Sequence, residues 1–473
     1  MTPADDSSFA PFREKMQAAG LSESAIRAFR ASYLALRAGE TGMIPETTIS
    51  PADDLPKSDE LPAADSGVSA TLLSQTVLIK LNGGLGTGMG LERAKSLLPV
   101  RGTDTFLDLI ARQLLRLRSQ TGGEVPQFML MNSFSTSDDT AAHLAKTFPQ
   151  LGGREVWELM QNKVPKVLAS TLEPAVSPGS EDLEWCPPGH GDIYACLVGS
   201  GWLDRLLTSG VRYAFVSNSD NLGATLDPAI LTWFAKSGMP FAMEVTRRTE
   251  SDKKGGHLAV RLNDGRFLLR ESAQCLKEDE SAFQNIDLHR YFNTNNLWID
   301  LQALKSALET NDGLIPLPPI MNRKTLDPRD SKTAEVIQLE TAMGAAIECF
   351  EGAGAIEVPR SRFAPVKTTA DLLAVRSDAY QLGEDFVLRL HPARNGTPPY
   401  IRLDQKLCKL VDGLEQNFPA TPSLLHCDSL LVHGPIECGE GVIFKGEVVI
   451  HNHTKNVFKL EPRVHEGKRN IEG

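Results

Sequence analysis

No stretch of ~18 apolar residues, the length a membrane helix needs, occurs anywhere in the 473-residue chain. The opening residues, MTPADDSSFA, carry neither the basic nor the apolar region of a secretion signal. Cysteine is scarce. There are seven, none in a CxxC pair, so neither a disulfide framework nor a structural zinc site is indicated and a cytoplasmic, reducing setting is expected. Positive charge is in deficit: Lys plus Arg total 49 against 60 Asp plus Glu, a formal net charge of −11. That balance argues against a nucleic-acid polymer or an anionic membrane surface as partner. With 41% hydrophobic and 23% charged residues the chain is nevertheless an ordinary globular one, long enough for about two to four domains.

Its texture changes along the length. Phe12, Met16 and Ala19 fall at helical spacing before Gly20 breaks the pattern, and Ser22 can cap a second helix whose apolar face is Ile26, Phe29, Tyr33 and Leu36. Such a pair packs on its own catalytic domain or serves a partner, and the first reading is the commoner. Residues 45–67, rich in Pro, Asp and Ser, predict an extended linker draped over the surface. Thr76–Leu81, Gln127–Met131 and Tyr213–Ser217 are short runs apolar on both faces, alternating with helical stretches such as Thr105–Leu117. They predict a helix-covered parallel sheet whose ligands sit beyond the carboxyl ends of the strands. From Ile401 onward Leu430, Ile436, Val442 and Val448 recur every six residues with Gly434 and Gly446 in step, which suits either coils of parallel β-helix or a pair of antiparallel hairpins.

Directly after the first strand stands LNGGLGTGMGLERAKS, with Gly83, Gly84, Gly86, Gly88 and Gly90 close together and Lys95 at the expected start of a helix. Glycine at this density lets main-chain N–H groups approach a phosphate, and the lysine adds a movable cation. It is not the dinucleotide fingerprint GxGxxG, because Met89 occupies the third glycine position. It is not the P-loop either, since Met89 and Ala94 stand where glycines are required before Lys95-Ser96. The bland alternative is a glycine-rich turn with a solvated lysine.

Further along, CPPGHGDIY sets His190 between Gly189 and Gly191, either as a structural histidine or as a hydrogen-bond donor to substrate, with no second ligand nearby to suggest zinc. YAFVSNSDN runs a buried strand into Asn218 and Asp220. The carboxylate there either closes an Asx-turn or holds Mg²⁺, which takes one or two carboxylates plus phosphate oxygens. FNTNNLW offers asparagines to hydroxyl-rich ligands, and QLETAMG places Glu340 near an expected helix start. PRSRFAPVKTTAD gathers Arg360, Arg362 and Lys367 within an acidic chain, pointing to a small anionic ligand; Lys367 is either a phosphate ligand or a snorkelling surface lysine.

In order, KLNGGLGTGMG…KS, LMNSFST, PPGHGDIY, FVSNSDNLGAT, MEVTRRT, FNTNNLW, VIQLETAMGAAI and VPRSRFAPVKTTADLL resemble the eukaryotic-type UTP–glucose-1-phosphate uridylyltransferase family over nearly the whole chain. The resemblance implies an α/β fold: an N-terminal helical segment and linker (1–75), a Rossmann-like, GT-A-like nucleotidyltransferase domain (76–400) and a left-handed parallel β-helix (401–473) suited to self-association. It implies that Leu81, Asn82, Gly83, Gly84, Gln161, Gly189 and Asp220 meet the nucleotide, and that His190, Asn218, Gly256, Asn293, Asn295 and Glu340 meet the sugar phosphate. Lys95 and Lys367 would be the catalytic cations, and Asp220 would carry Mg²⁺. UTP and glucose 1-phosphate would be the substrates, UDP-glucose and pyrophosphate the products. A broader UDP-sugar or UDP-N-acetylhexosamine pyrophosphorylase, or an idle nucleotide-sugar sensor, are the competing readings. Arg93-Ala94 stand where the family has Gly-Pro, and MQNKVPK around Gln161 departs from the commoner form; both differences fit a bacterial member.

Overall fold

The two apolar patterns at the start do become helices. In the computed structural model, which describes residues 3–121, 123 and 125–472, they are α1 (Pro3–Ala18) and α2 (Glu23–Arg37), the second capped by Ser22, whose side chain accepts from the Ala25 N–H. Phe9, Phe12 and Met16 close on Ile26, Phe29 and Tyr33, and the six together bury Val164, Val167, Ile337 and Leu339. The pair therefore packs on its own chain. Residues 45–67 do more than drape. Ile49–Pro51 forms an edge strand antiparallel to His257–Arg261, and Ala52 and Leu55 are buried. An edge strand is held by main-chain hydrogen bonds, so composition poor in large side chains does not forbid it.

Thr76–Leu81, Gln127–Asn132 and Tyr213–Asn218 are neighbouring parallel strands, with Glu158–Met160 continuing that side. The other side is antiparallel: Tyr291–Asp300 runs against both Tyr213–Asn218 and Phe241–Arg247. The sheet is thus mixed and ten-stranded rather than uniformly parallel. Both faces are covered. Leu78 points to the side packed by Phe106–Thr121 and Pro228–Ser237, while Val77 and Ile79 point to the side packed by Ile193–Gly199 and Leu301–Thr310.

Two local expectations are corrected. Lys95 opens only a single 3₁₀ turn, Lys95–Leu97, because Pro99 lacks an N–H and pushes Leu98 toward extended backbone. Glu340 lies inside the strand Glu335–Thr341, not at a helix start; Val336, Ile337 and Leu339 favour the ladder formed with Pro319–Thr325.

In the C-terminal region Tyr400–Arg402, Ser423–His433, Ile443–Asn452 and Val464–Ile471 lie side by side in parallel, with Leu430 in register with Val448. Ile436–Cys438 pairs in parallel with Phe458–Leu460. Hairpins cannot give this pairing. Leu430, Ile436, Val442 and Val448 are all buried, and Leu403, Val411 and Phe444 belong to the same apolar cluster as Phe106 and Leu372.

Candidate active site

The parallel strands end side by side, and the glycine loop leaves the first of them at Leu81, which pairs with Asn218. Asn82 is 2% exposed; its N–H goes to Met131 O and its side-chain amide to Asn132 Oδ1 (2.8 Å) and Thr140 Oγ1 (2.9 Å). Its side chain therefore anchors the loop root. Gly83 follows, with its carbonyl accepting from Ser133 Oγ at 2.9 Å. A Cβ there would lie 2.8 Å from Gln161 Oε1, and Gln161 Nε2 in turn donates to Gly189 O at 3.0 Å. Three residues assigned to the nucleotide are thus brought into one contiguous wall. Above it Gly84 faces open space and accepts the Lys95 N–H.

Gly189 has a φ of 79°, and a Cβ there would stand 2.4 Å from Thr341 O. Only glycine lets this turn approach the Glu335–Thr341 strand so closely. The same turn seats His190, whose Nδ1 accepts from the Met343 N–H at 2.9 Å. Burial, reinforced by the charge of Lys367, pushes its pKa down to about 4. Neutral, with Nδ1 accepting, the ring carries its proton on Nε2 and offers a donor without a net charge.

Lys95 reaches across the mouth of the loop to Asp220, Nζ to Oδ2 at 2.6 Å. Asp220 Oδ1 is buried with no partner among the described residues. A buried carboxylate oxygen left open beside a cation is what one Mg²⁺ ligand would look like, and no group of three or more acidic, histidine or cysteine side chains suited to a metal occurs among the described residues. One protein carboxylate suits an ion that takes its other ligands from phosphates and water. The backbone brings Lys367 to the same tip: Val366 N–H donates to Asp220 O, and Asn221 Oδ1 accepts from the Ala364 N–H at 3.0 Å. Lys367 itself is exposed, and its charge is felt at both His190 and Glu271.

Within reach of the Lys367 charge lies a polar cluster. Asn293 Nδ2 donates to Asn295 Oδ1 (2.9 Å), and the Asn295 N–H returns to Asn293 Oδ1 (2.9 Å). Asn293 N–H meets Gly256 O. A Cβ at Gly256 would lie 2.5 Å from the carboxylate of Glu271. Glu271, which the sequence reading passes over, caps the Ser272–Gln274 turn and has its pKa raised by burial, with Lys367 pulling the other way. The strand it follows, Phe267–Arg270, is only four residues long, too short a run to mark its end in the sequence. Glu340 sits against Gly189 through its Cβ, and its carboxyl turns toward Asn322 and Lys324, with burial raising its pKa. It is close to the nucleotide wall but outside the asparagine pair's hydrogen bonds.

A site so built suits an α/β transferase that passes a phosphorus-centred group between a nucleotide and a hydroxyl-rich partner. Known proteins sharpen that class. The sequence model of the UTP–glucose-1-phosphate uridylyltransferase family matches residues 28–445. The chain is 40% identical over 420 residues to the UTP–glucose-1-phosphate uridylyltransferase of Musa acuminata, covering 89% of this chain and 85% of that one. Against the protein of the same name from Saccharomyces cerevisiae it is 43% identical over 379 residues, 80% of this chain and 74% of the relative. The structure superposes on a UDP-glucose pyrophosphorylase mutant from Leishmania major in complex with UDP-glucose with a TM-score of 0.93 and 45% identity, over 99% and 100% of the two chains. A UDP-glucose phosphorylase from Trypanosoma brucei gives 0.91 and 48% over 98% and 100%. The chain belongs to the UTP–glucose-1-phosphate uridylyltransferase family. These relatives are all eukaryotic, so the expectation of a bacterial member is not borne out.

Proposed function

We propose that this chain is a uridylyltransferase that makes UDP-glucose and pyrophosphate from UTP and glucose 1-phosphate. The observation that carries the reading is the Lys95–Asp220 pair at the mouth of the glycine loop with the Lys367 segment bonded to the same tip, together with the Gln161–Gly189 wall and the Asn293–Asn295 pair. The sugar phosphate needs no activation, being largely dianionic at pH 7 because a phosphate monoester's second pKa is about 6. One of its oxygens attacks the α-phosphorus of UTP, and the bond to the β-phosphate breaks as pyrophosphate leaves.

Bringing a dianion to a triphosphate is the obstacle. Two unit charges 4 Å apart repel by about 4 kcal/mol at an effective dielectric of 20, so cancelling several of them is most of the catalysis. Lys95 and Lys367 supply two positive charges. Asp220 Oδ1 would hold Mg²⁺, which would neutralise further phosphate charge. Gly83, Gln161 and Gly189 hold the uracil end, and the Nε2–H of His190 with Asn218 orients the sugar phosphate. Gly256, Glu271, Asn293 and Asn295 receive sugar hydroxyls, with Glu340 beside Gly189, so the two reactants meet in line.

The same reading makes residues 76–400 the catalytic unit, joined to the helical segment 1–75, and gives residues 401–473 the coils of a left-handed parallel β-helix. Support for the coils comes from the in-register parallel strands and the six-residue repeat of buried aliphatics. It places the protein in the cytoplasm, in keeping with seven cysteines that are all free thiols; among the described residues no helix is long and apolar enough to cross a membrane. Pyrophosphate release from Mg²⁺, UTP and glucose 1-phosphate, run beside ATP, GTP and dTTP, is the test. Release with UTP alone is expected. Release only with another sugar 1-phosphate moves the substrate, and silence in a protein that still binds UTP leaves a sensor.

A further inference from the structure

Glu244 is fully buried on the Phe241–Arg247 strand, and nothing in the transfer chemistry above uses it. Its carboxylate accepts four hydrogen bonds: from Arg362 Nε (2.9 Å) and Nη2 (2.7 Å), Asn296 Nδ2 (2.9 Å) and Trp298 Nε1 (3.0 Å). Its carbonyl accepts a fifth, from Thr294 Oγ1 at 2.6 Å. At this point the ladder skips. Glu244 faces Asn296 while Val245 faces Asn293, so Thr294 and Asn295 are pushed out as a bulge and Asn295 takes a φ of 58°. Glu244 therefore holds the bulge that presents Asn293 and Asn295.

Arg362 carries the connection onward. Its Nη2 also donates to Thr225 O (2.9 Å), and its own carbonyl accepts from Asn221 Nδ2 (3.1 Å), next to Asp220. Lys367 follows in the same segment. Lys80, fully buried on the strand that feeds the glycine loop, donates to Ser217 Oγ (2.7 Å) and Ala224 O (2.6 Å), and burial pushes its pKa down to about 7. Buried ion pairs add little net stability compared with apolar packing, whereas the two-pronged Arg–carboxylate contact fixes relative position.

We infer that the Glu244–Arg362 pair is a positioning device that sets the sugar-side bulge, the Asp220 tip and the Lys367 segment in one register, so that the sugar phosphate meets the nucleotide in line. The inference rests on the proposed placing of Asn293, Asn295 and Lys367. Its test uses Glu244→Gln, Arg362→Gln, the double variant and Lys367→Ala in the full chain, with Tm, UTP affinity by calorimetry, and kcat and KM for glucose 1-phosphate. Each single change leaves a buried charge or its partners uncompensated and lowers Tm; the double change removes both charges and recovers most of it. Turnover should nevertheless fall on the order of a hundredfold in all three, with KM for glucose 1-phosphate raised well beyond any weakening of UTP binding, because Glu244 bonds the sugar-side bulge directly while the Asp220 tip is reached only through the Arg362 carbonyl and Asn221. A double variant that regains turnover along with Tm, or loss of UTP affinity in step with glucose 1-phosphate, would overturn the inference. Normal turnover in Lys367→Ala would instead overturn the placing beneath it.

Discussion

Lys95 and Lys367 are one residue type in two electrostatic states, and that difference separates what their removal does. Lys95 is tied to Asp220 at 2.6 Å, whereas Lys367 is exposed and has no ion pair among the described residues. Lys367→Ala should therefore leave thermal stability unchanged while turnover falls on the order of 10²–10³-fold, the usual cost of removing one preorganised donor to developing charge. Stopped pyrophosphate-release assays beside thermal melts check this; a parallel fall in Tm would mean that the lysine is structural. Lys95 and Asp220 stand out in the sequence because a glycine loop and a polar strand tip are local patterns, and Lys367 because PRSRFAPVK gathers positive charge within an acidic chain. Glu271 does not, since only the folded sheet brings its carboxylate against Gly256, and Glu244 does not, since burial of a glutamate on a strand leaves no mark in sequence.

At the scale of elements, the legible parts are those whose side chains alternate or cluster by themselves. Thr76–Leu81 and Tyr213–Asn218 are buried on both faces and announce themselves as runs, as do the helices that bury Phe29 and Tyr33. Ile49–Pro51 hides because main-chain bonds alone make it a strand, and Glu340 misleads because its neighbours favour a ladder formed with a distant segment. The antiparallel half of the sheet is equally non-local: nothing in Tyr291–Asp300 says which strands flank it. The Gly189 turn shows how tightly one such meeting is set. Gly189→Ala would combine a φ of 79° with a Cβ 2.4 Å from Thr341 O, so a loss of about 1–3 kcal/mol or more from strain alone is expected. Denaturant titration reads that loss, and weakened UTP binding should accompany it, since Gly189 O holds Gln161. Unchanged stability would mean that the turn can back away from the strand.

Across the whole molecule, the buried histidines link pH to stability. His257 and His289 stack at 3.9 Å between centroids, and His289 Nε2 meets Glu46 at 2.8 Å, fastening the N-terminal segment to the sheet. Burial holds His257 far below an ordinary histidine, with the charge of His289 adding to it, and burial likewise lowers His289 and brings His190 to about 4. In the unfolded chain each takes a proton near pH 6.5. Below that pH the unfolded state binds more protons than the folded one, so these groups' contribution is fully present above about 6.5 and is lost as pH falls toward the folded values. Asp192, Glu271 and Glu340, whose pKa values burial raises, work in the opposite sense. A difference measurement isolates the histidines. His257→Phe keeps a ring against His289 and Phe283 but cannot take a proton. Its Tm should fall less between pH 7 and pH 5 than that of the unaltered protein, whatever its absolute stability, when both are melted at matched ionic strength. Equal falls in the two proteins would mean that the acid sensitivity of the fold comes from elsewhere.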